Sequence, residues 1–78
     1  DVELFERLRA LRTELAQEMQ VPSYVVFPDK TLRALCRQRP HSFDELLEVS
    51  GIGEKKAESF GESFMAEIAA FEELHARE

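Results

Sequence analysis

Hydrophobic residues recur at helical spacing along most of the chain, beginning close to its first residue. In residues 3–19 they stand three or four positions apart, as in an amphipathic helix: Leu4, Leu8, Leu11, Leu15 and Met19. This stretch contains neither glycine nor proline. The pattern therefore predicts a first helix over residues 3–19, and it places the arginines of that helix on its solvated faces: Arg7, Arg9 and Arg12.

A short apolar run between two prolines follows this helix. Pro22 and Pro28 bias the residues before them away from helical conformation, and the run between them is too short and isolated to build a sheet. We expect residues 21–29 to form an extended loop or short turn that packs across the other helices. This segment should bury Val26 and Phe27.

The next apolar pattern predicts a second helix from Lys30 to about Arg39, ended by Pro40. Asp29 should cap it, because an aspartate in front of a helix can accept hydrogen bonds from free backbone N–H groups. Its core face is expected at Leu32, Leu35 and Cys36. Its cations fall on another face: Lys30, Arg33 and Arg37.

A third helix is predicted from Phe43 to about Val49. Ser42 and Glu45 have the spacing of a capping box, in which a serine and a glutamate three residues later satisfy the first N–H groups of a helix. The apolar residues of this helix should be buried: Phe43, Leu46 and Leu47.

Two glycines around one aliphatic residue, Gly51-Ile52-Gly53, predict a tight turn at residues 50–54 that resembles a helix-hairpin-helix. We expect Ile52 to fill the core and valine at either glycine to destabilise the fold. A fourth helix should cover about residues 54–60, and Gly61 should let the chain bend before a last helix over about residues 62–76. Together these segments predict an all-α fold, a compact bundle of about five helices.

Composition is that of one small globular domain. The chain has 78 residues, 44% of them hydrophobic, which is too apolar for a disordered chain. No apolar run is long enough to span a membrane, and Asp1 suggests a segment cut from a longer protein. The lone cysteine, Cys36, indicates a reducing, cytoplasmic setting.

Charge is distributed unevenly between the two halves. Residues 1–39 carry seven Lys/Arg and six Asp/Glu, whereas residues 40–78 carry three and ten, for a net charge of −6. An acidic chain repels phosphate, so a nucleic-acid surface would have to be a local patch, most plausibly in the first half.

The sequence shows no catalytic or metal-binding constellation. His41 and His75 have no nucleophile pattern around them, and Cys36 falls on a core face, where a thiol usually packs as a small hydrophobe. The glycines at 51 and 53 are not a P-loop, because no Lys-Ser/Thr follows a long glycine-flanked run. We therefore expect no enzymatic activity, metal or cofactor in this domain itself.

Two candidate binding surfaces remain. In the first, N–H groups of the hairpin and the adjacent Lys55 and Lys56 contact phosphates, although Glu54 and Glu58 oppose this. In the second, Tyr24 stacks on a base beside the second-helix cations, Lys30, Arg33 and Arg37. An equally weighted alternative leaves Tyr24 partly buried with only its hydroxyl at the surface. The glutamates favour an architectural role for the hairpin.

Four segments in order resemble the HRDC domain, the helicase and RNase D C-terminal domain: Leu8-x-x-Leu11-Arg12, Val21-Pro22-Ser23-Tyr24-Val25-Val26-Phe27-x-Asp29-x-x-Leu32, Gly51-Ile52-Gly53-x-x-Lys56 and Phe60-Gly61. The resemblance covers about residues 3–72. The motif sequences are similar to those of the HRDC domains of bacterial RecQ DNA helicases. It implies a single domain over residues 1–78, of about five helices, on the C-terminal side of an ATP-dependent 3′–5′ DNA helicase that acts in repair and recombination.

The resemblance also implies a function. HRDC domains often bind DNA weakly, tune which DNA structures the helicase engages and sometimes contact proteins. By motif, Tyr24 corresponds to the DNA-facing aromatic, with the cations named above as further candidates. ATP and Mg²⁺ are implied only for the parent helicase, and the domain is expected to be monomeric.

Three alternatives stay open. The acidic half could dock on the parent helicase core or on another protein, and so regulate DNA access indirectly. The chain could be an RNA-handling accessory domain of an RNase D-like exonuclease. It could also be a stand-alone helix-hairpin-helix DNA-binding module.

Overall fold

The computed structural model describes residues 1–76, which form an all-α fold without strands. This confirms the predicted fold class. None of the helices in this part of the chain is long and apolar enough to cross a bilayer. The helices are α1 (Val2–Met19), α2 (Ser23–Val26), α3 (Asp29–Gln38), α4 (Phe43–Leu47) and α5 (Glu54–Ala76).

The first helix, α1, is the element on which most of the others pack. Asp1 caps it by accepting hydrogen bonds from the N–H groups of Glu3 and Leu4, at 2.9 and 3.2 Å. It ends at Gln20, which takes the left-handed conformation with φ 57°. α1 packs against α2, α3 and α5, and its deeply buried positions include Leu4, Leu8 and Ala16.

Residues 21–29 bury Val26 and Phe27, as predicted, and of the two predicted forms the structure shows the short turn, a one-turn helix at Ser23–Val26, and not the extended loop. The prolines permit this because both lie outside the turn. Pro22 stands in front of it and uses its carbonyl to accept from the N–H of Val25, at 3.0 Å. Phe27, which precedes Pro28, is extended with φ −152°.

Phe27 is the centre of the core. Its ring meets Phe64 at a centroid distance of 5.1 Å and Phe60 at 5.9 Å, both edge to face. These contacts join the connection between α2 and α3 to the long helix α5. Through these ring contacts Phe27, although it lies between two helices of the chain, is completely buried.

The start of α3 differs from the prediction. Asp29 is the first residue of the helix and not its cap; Pro28 takes the cap position without a side-chain hydrogen bond. The helix ends at Gln38, and Arg39 follows with φ 44°. Its core face is as predicted: Leu32, Leu35 and Cys36 are buried.

Asp29 instead binds Arg12, a residue of α1 that the sequence pattern had placed on a solvated face. The Arg12 side chain is buried, and its Nη1 donates to the Phe27 carbonyl at 3.0 Å and to Asp29 Oδ1 at 2.8 Å. Leu8, Arg12 and Ala16 stand four apart, so Arg12 lies on the buried stripe of α1. The prediction of a solvated Arg12 is wrong, although this spacing could have identified Arg12 as a core position.

The capping box at α4 forms in a modified way. Ser42 Oγ accepts from the N–H of Glu45 at 3.1 Å, and Glu45 Oε1 accepts from the N–H of His41 at 2.7 Å. The helix is shorter than predicted, Phe43–Leu47. Leu46 is fully buried and Leu47 is half-buried. The predicted burial of Phe43 is wrong, because this residue is 41% exposed.

α5 is one continuous helix, so the predicted bend at Gly61 is wrong. Gly61 is buried in the middle of the helix, and a Cβ added there would overlap Leu46 Cδ2. The glycine therefore serves close packing of α4 on α5 and not flexibility. Helical hydrogen bonding continues through it because the cost of one glycine, about 1 kcal/mol relative to alanine, does not break a packed helix.

The turn before α5 packs against α3. Gly51 has φ 91°, and a Cβ added to it would overlap Thr31 Oγ1. Ile52 is 5% exposed and fills the core, as expected. Gly53, in contrast, has open space where a Cβ would stand, so a Cβ added there meets no clash.

Replacing Gly51 by alanine should destabilise the fold by about 1–3 kcal/mol, because the new Cβ would need both a strained backbone and displacement of Thr31. The matched variant Gly53→Ser should change stability by less than about 0.5 kcal/mol, since its side chain meets open space at a helix start. Urea unfolding measures both. An equal loss of unfolding free energy in the two variants would contradict this account of the turn.

The Arg12–Asp29 contact predicts an acid dependence of stability. The hydrogen bond from Arg12 lowers the pKa of Asp29 below its ordinary value of 3.8. Because the folded-state pKa is the lower one, the stabilisation is complete above the unfolded value of about 4 and is lost as pH falls through the folded value.

Asp29→Asn should therefore melt at a lower temperature than the wild type at pH 7, and the gap should shrink below about pH 4. Thermal unfolding at pH 7, 5 and 3 measures this. Glu14→Gln, at an exposed carboxylate outside any observed ion pair of residues 1–76, is the control and should follow the wild-type profile. A gap of constant size across these pH values would show that the carboxylate charge is not what stabilises the contact.

Candidate nucleic-acid interface

Tyr24 is presented by the one-turn helix α2. Val26, two residues later, is fully buried, and the turn thereby directs Tyr24 to the opposite side, where its side chain is 68% exposed. Tyr24 is the most exposed aromatic residue in the described part of the chain. Of the two interpretations of this residue, the structure supports the exposed aromatic and not the partly buried one.

The three predicted α3 cations lie on one exposed face of that helix. Lys30, Arg33 and Arg37 are spaced three and four residues apart, so their side chains follow one line along α3. α3 runs antiparallel to α1: Asp29 meets Arg12, and near the other end Arg39 Nη2 lies 3.9 Å from Asp1 Oδ2. The line of cations therefore extends from the α2 end of α1 toward its first residues.

These α3 cations differ from the other arginines in their ion pairing. Arg7 pairs with Glu67 at 2.6 Å and Arg9 with Glu6 at 2.9 Å, and Arg12 and Arg39 also face carboxylates. Within residues 1–76, none of the α3 cations forms such a pair: Lys30, Arg33 and Arg37. Their charges are thus available to an external anion. Arg33 instead places its guanidinium 5.6 Å from the ring centre of Phe5.

The two hairpin lysines differ in exposure and contacts. Lys56 is half-buried, and its Nζ lies 5.9 Å from the ring centre of Phe27, three residues after Tyr24. Lys55 is exposed and forms no observed ion pair within the described residues. The first turn of α5 also carries Glu54, whose carboxylate complements the positive end of the helix and repels phosphate.

The two histidines and the cysteine make contacts within the domain or are buried in it. Nε2 of His41 lies 3.0 Å from Glu72, and Nε2 of His75 lies 2.9 Å from Glu3. Burial raises the pKa of the Cys36 thiol, which keeps it neutral at pH 7. Residues 1–76 contain no group of three or more His, Cys, Asp or Glu side chains that could hold a metal ion.

Comparison with known proteins gives a consistent family. The family model for the HRDC domain matches residues 1–68. The chain is 48% identical over 69 residues to the ATP-dependent DNA helicase RecQ of Bacillus subtilis, covering 88% of this chain and 12% of that protein. It is 41% identical over 61 residues to the ATP-dependent DNA helicase UvrD2 of Mycobacterium tuberculosis, covering 78% of this chain and 9% of that protein. The chain thus spans about a tenth of the length of these relatives.

A solved structure shares the fold as well as the sequence pattern. The third HRDC domain of D. radiodurans RecQ superimposes with a TM-score of 0.87 at 41% sequence identity, covering 90% of this chain and 92% of that one. The bundle and the order of its motifs agree with this relationship. The chain belongs to the HRDC domain family and is close to the HRDC domains of RecQ helicases.

Proposed function

We propose that this chain is a non-catalytic accessory domain of a RecQ-type ATP-dependent 3′–5′ DNA helicase, and that it binds single-stranded DNA weakly. The observation that carries the proposal is the exposed Tyr24 on the turn that precedes α3, together with an α3 face whose three cations form no ion pair within residues 1–76. The relatives named above are DNA helicases, which favours DNA over the RNA of an RNase D-like exonuclease.

The chemistry of this surface suits a flexible single strand. An exposed aromatic ring stacks on a base of any sequence, and nearby cations neutralise backbone phosphates. Because Lys30, Arg33 and Arg37 are not ion-paired within the described residues, binding DNA would not require an internal ion pair to break. Lys56, whose Nζ lies near the Phe27 ring, is a further candidate for phosphate binding. Lys55 would contribute less to DNA binding.

The charge of the rest of the domain limits the affinity. Exposed carboxylates of α4, α5 and the turn between them form no observed ion pairs within residues 1–76: Asp44, Glu48, Glu54, Glu58 and Glu62. Their field opposes DNA that approaches from that side. We therefore propose weak binding that depends strongly on salt and that adjusts which DNA structure the helicase engages.

The same carboxylates support a second function. A dense, exposed acidic surface is complementary to a basic one, such as that of a DNA-binding helicase core or another protein. In this proposal the α4–α5 carboxylates bind the protein partner while the α3 face is left for DNA. The stand-alone helix-hairpin-helix proposal has less support, because the hairpin is committed to packing against Thr31.

The rest of the proposal concerns the parent protein. ATP and Mg²⁺ would be required by the helicase core and not by this domain. The working setting would be the cytoplasm of a bacterial cell, in DNA repair and recombination, with the domain itself monomeric.

Tyr24→Ala should weaken binding of a labelled oligo(dT) by roughly 5- to 150-fold at low salt, which corresponds to about 1–3 kcal/mol for one stacked base. Fluorescence anisotropy gives the dissociation constants. Tyr24→Phe should keep most of the affinity, since the ring is retained.

Phe43→Ala is the matched control for Tyr24→Ala, because it also removes a partly exposed aromatic side chain, but from the acidic side of the domain. It should leave the affinity within about twofold of the wild type. If the folded wild-type domain fails to bind oligo(dT) at tens of micromolar, or if both alanine variants bind equally well, direct DNA binding through Tyr24 is refuted.

Lys55→Ala should keep the fold and barely change DNA affinity, whereas Lys30→Ala should reduce affinity and lower the slope of log K against log salt by about 0.7. The two variants remove the same charge, so they separate the α3 face from the hairpin. Anisotropy titrations at three salt concentrations provide the slopes. Collapse of binding in Lys55→Ala alone would show that the hairpin is the phosphate clamp.

A further inference from the structure

A groove of about 390 Å³ lies where the first turn of α1 meets the second half of α3. Its lining residues are Asp1, Val2, Phe5, Arg33, Cys36 and Arg37. It is separate from Tyr24, which lies at the other end of α1, but it contains two of the three unpaired α3 cations. The volume falls within the range of pockets that hold small organic groups.

The groove combines apolar and cationic surfaces. Val2 is 82% exposed, and Phe5 is half-buried against the core. Arg33 lies over the Phe5 ring, with its guanidinium carbon 5.6 Å from the ring centre. Because a guanidinium is planar and stacks on flat groups, Arg33 at this position can also contact a further planar group.

The acidic group in the groove is already engaged. Asp1 Oδ1 accepts from the N–H groups of Glu3 and Leu4, and Asp1 Oδ2 faces Arg39 at 3.9 Å. The α1 N-terminus and Arg39 thereby offset its charge. Arg33 and Arg37 form no ion pair within residues 1–76, although Arg33 also acts on Asp29 through its charge, so the groove remains complementary to an anion with a flat apolar part.

The arrangement of the cations along α3 indicates which class of anion the groove binds. Lys30 and Arg37 are seven residues apart on one face, a rise of about 10 Å, or the span of a few nucleotides. A strand that stacks on Tyr24 and follows these cations arrives at the groove. A peptide carboxylate would match the arginines but would not explain the continuous line of charge from the exposed aromatic.

We propose that this groove is a second base-binding site, which takes one unstacked nucleobase of the same DNA strand that contacts Tyr24. Arg33 stacks on the base over Phe5, and Arg37 binds the adjoining phosphate. The inference rests on the proposed single-strand binding and adds to it a defined second contact, a minimum strand length and a direction along α3.

Oligo(dT) of two to eight nucleotides, titrated into the isotopically labelled domain and followed by NMR, tests this. Short strands should shift signals of Tyr24, and only strands long enough to reach the groove should also shift the Val2 methyl groups. Affinity should rise in a step at that length. Groove signals that stay fixed while Tyr24 signals move would overturn the second site.

Arg33→Lys keeps the charge but removes the planar stacking group. It should abolish the step with length and weaken the longer strands by roughly 5- to 150-fold, the range for one stacked base, while the Tyr24 shifts persist. Arg9→Lys, the same replacement at an exposed arginine of α1, should behave as wild type. Melting temperatures within about 2 °C of the wild-type value would establish that both variants are folded.

The outcomes separate this inference from the proposed function. No shifts at Tyr24 with any strand would refute single-strand binding, and the second site with it. Tyr24 shifts with an unchanged length step in Arg33→Lys would refute only the second site. If a glutamate-rich peptide moves the groove signals at concentrations where oligo(dT) does not, the groove binds acidic protein segments and the inference is wrong.

Discussion

The buried guanidinium of Arg12 is the interaction on which the arrangement of the other elements depends. It holds the Phe27 carbonyl and the Asp29 carboxylate at once, and so fixes the connection between α2 and α3 against α1. Phe27 in turn brings α5 into the core through Phe60 and Phe64. Arg12 is buried whereas Asp29 is more than half exposed, so loss of Asp29 would leave a buried guanidinium with the Phe27 carbonyl as its remaining partner within residues 1–76.

Arg12 is not completely satisfied even so, because its Nε is buried without a hydrogen-bond partner within residues 1–76. A buried donor left in this state costs about 1–3 kcal/mol. The remaining contacts of the side chain must offset that cost. The position of Tyr24 on α2 and the direction of the cations on α3 both follow from this one anchored connection.

Net charge describes this domain poorly, because ion pairing is unequal between its helices. The arginines of α1 are matched by carboxylates of α1, α3 and α5, whereas those on the outer face of α3 are not matched within the described residues. A chain of net charge −6 can thus present a local cationic face. The acidic character is concentrated on α4, α5 and the turn between them, and each sign of charge has its own surface.

The sequence predicted what depends on local pattern. The apolar spacing of α1, the core residues Leu32 and Leu35, and the burial of Phe27 and Ile52 all follow from periodicity and turn chemistry. The exposed position of Tyr24 was one of two alternatives, since a short apolar run between prolines does not determine which side faces the core.

The errors share a different cause. Asp29 looked like a cap because local rules do not show a partner 17 residues away. Gly61 looked like a break because its role depends on Leu46, a residue of another helix. Phe43 looked buried because an apolar residue at a helix start usually is. Apart from Arg12, whose spacing with Leu8 and Ala16 pointed to the core, each required knowledge of tertiary contacts that periodicity does not contain.

The contact between His75 and Glu3 brings the last turn of α5 beside the first turn of α1. α1 is 18 residues long, so the α2 turn lies about 27 Å away at its far end. The start of α1 and the last turn of α5 therefore lie on one side of the bundle. Tyr24 stands at the opposite end of α1, so the exposed surface around it is separated from both of these helix ends by the length of that helix.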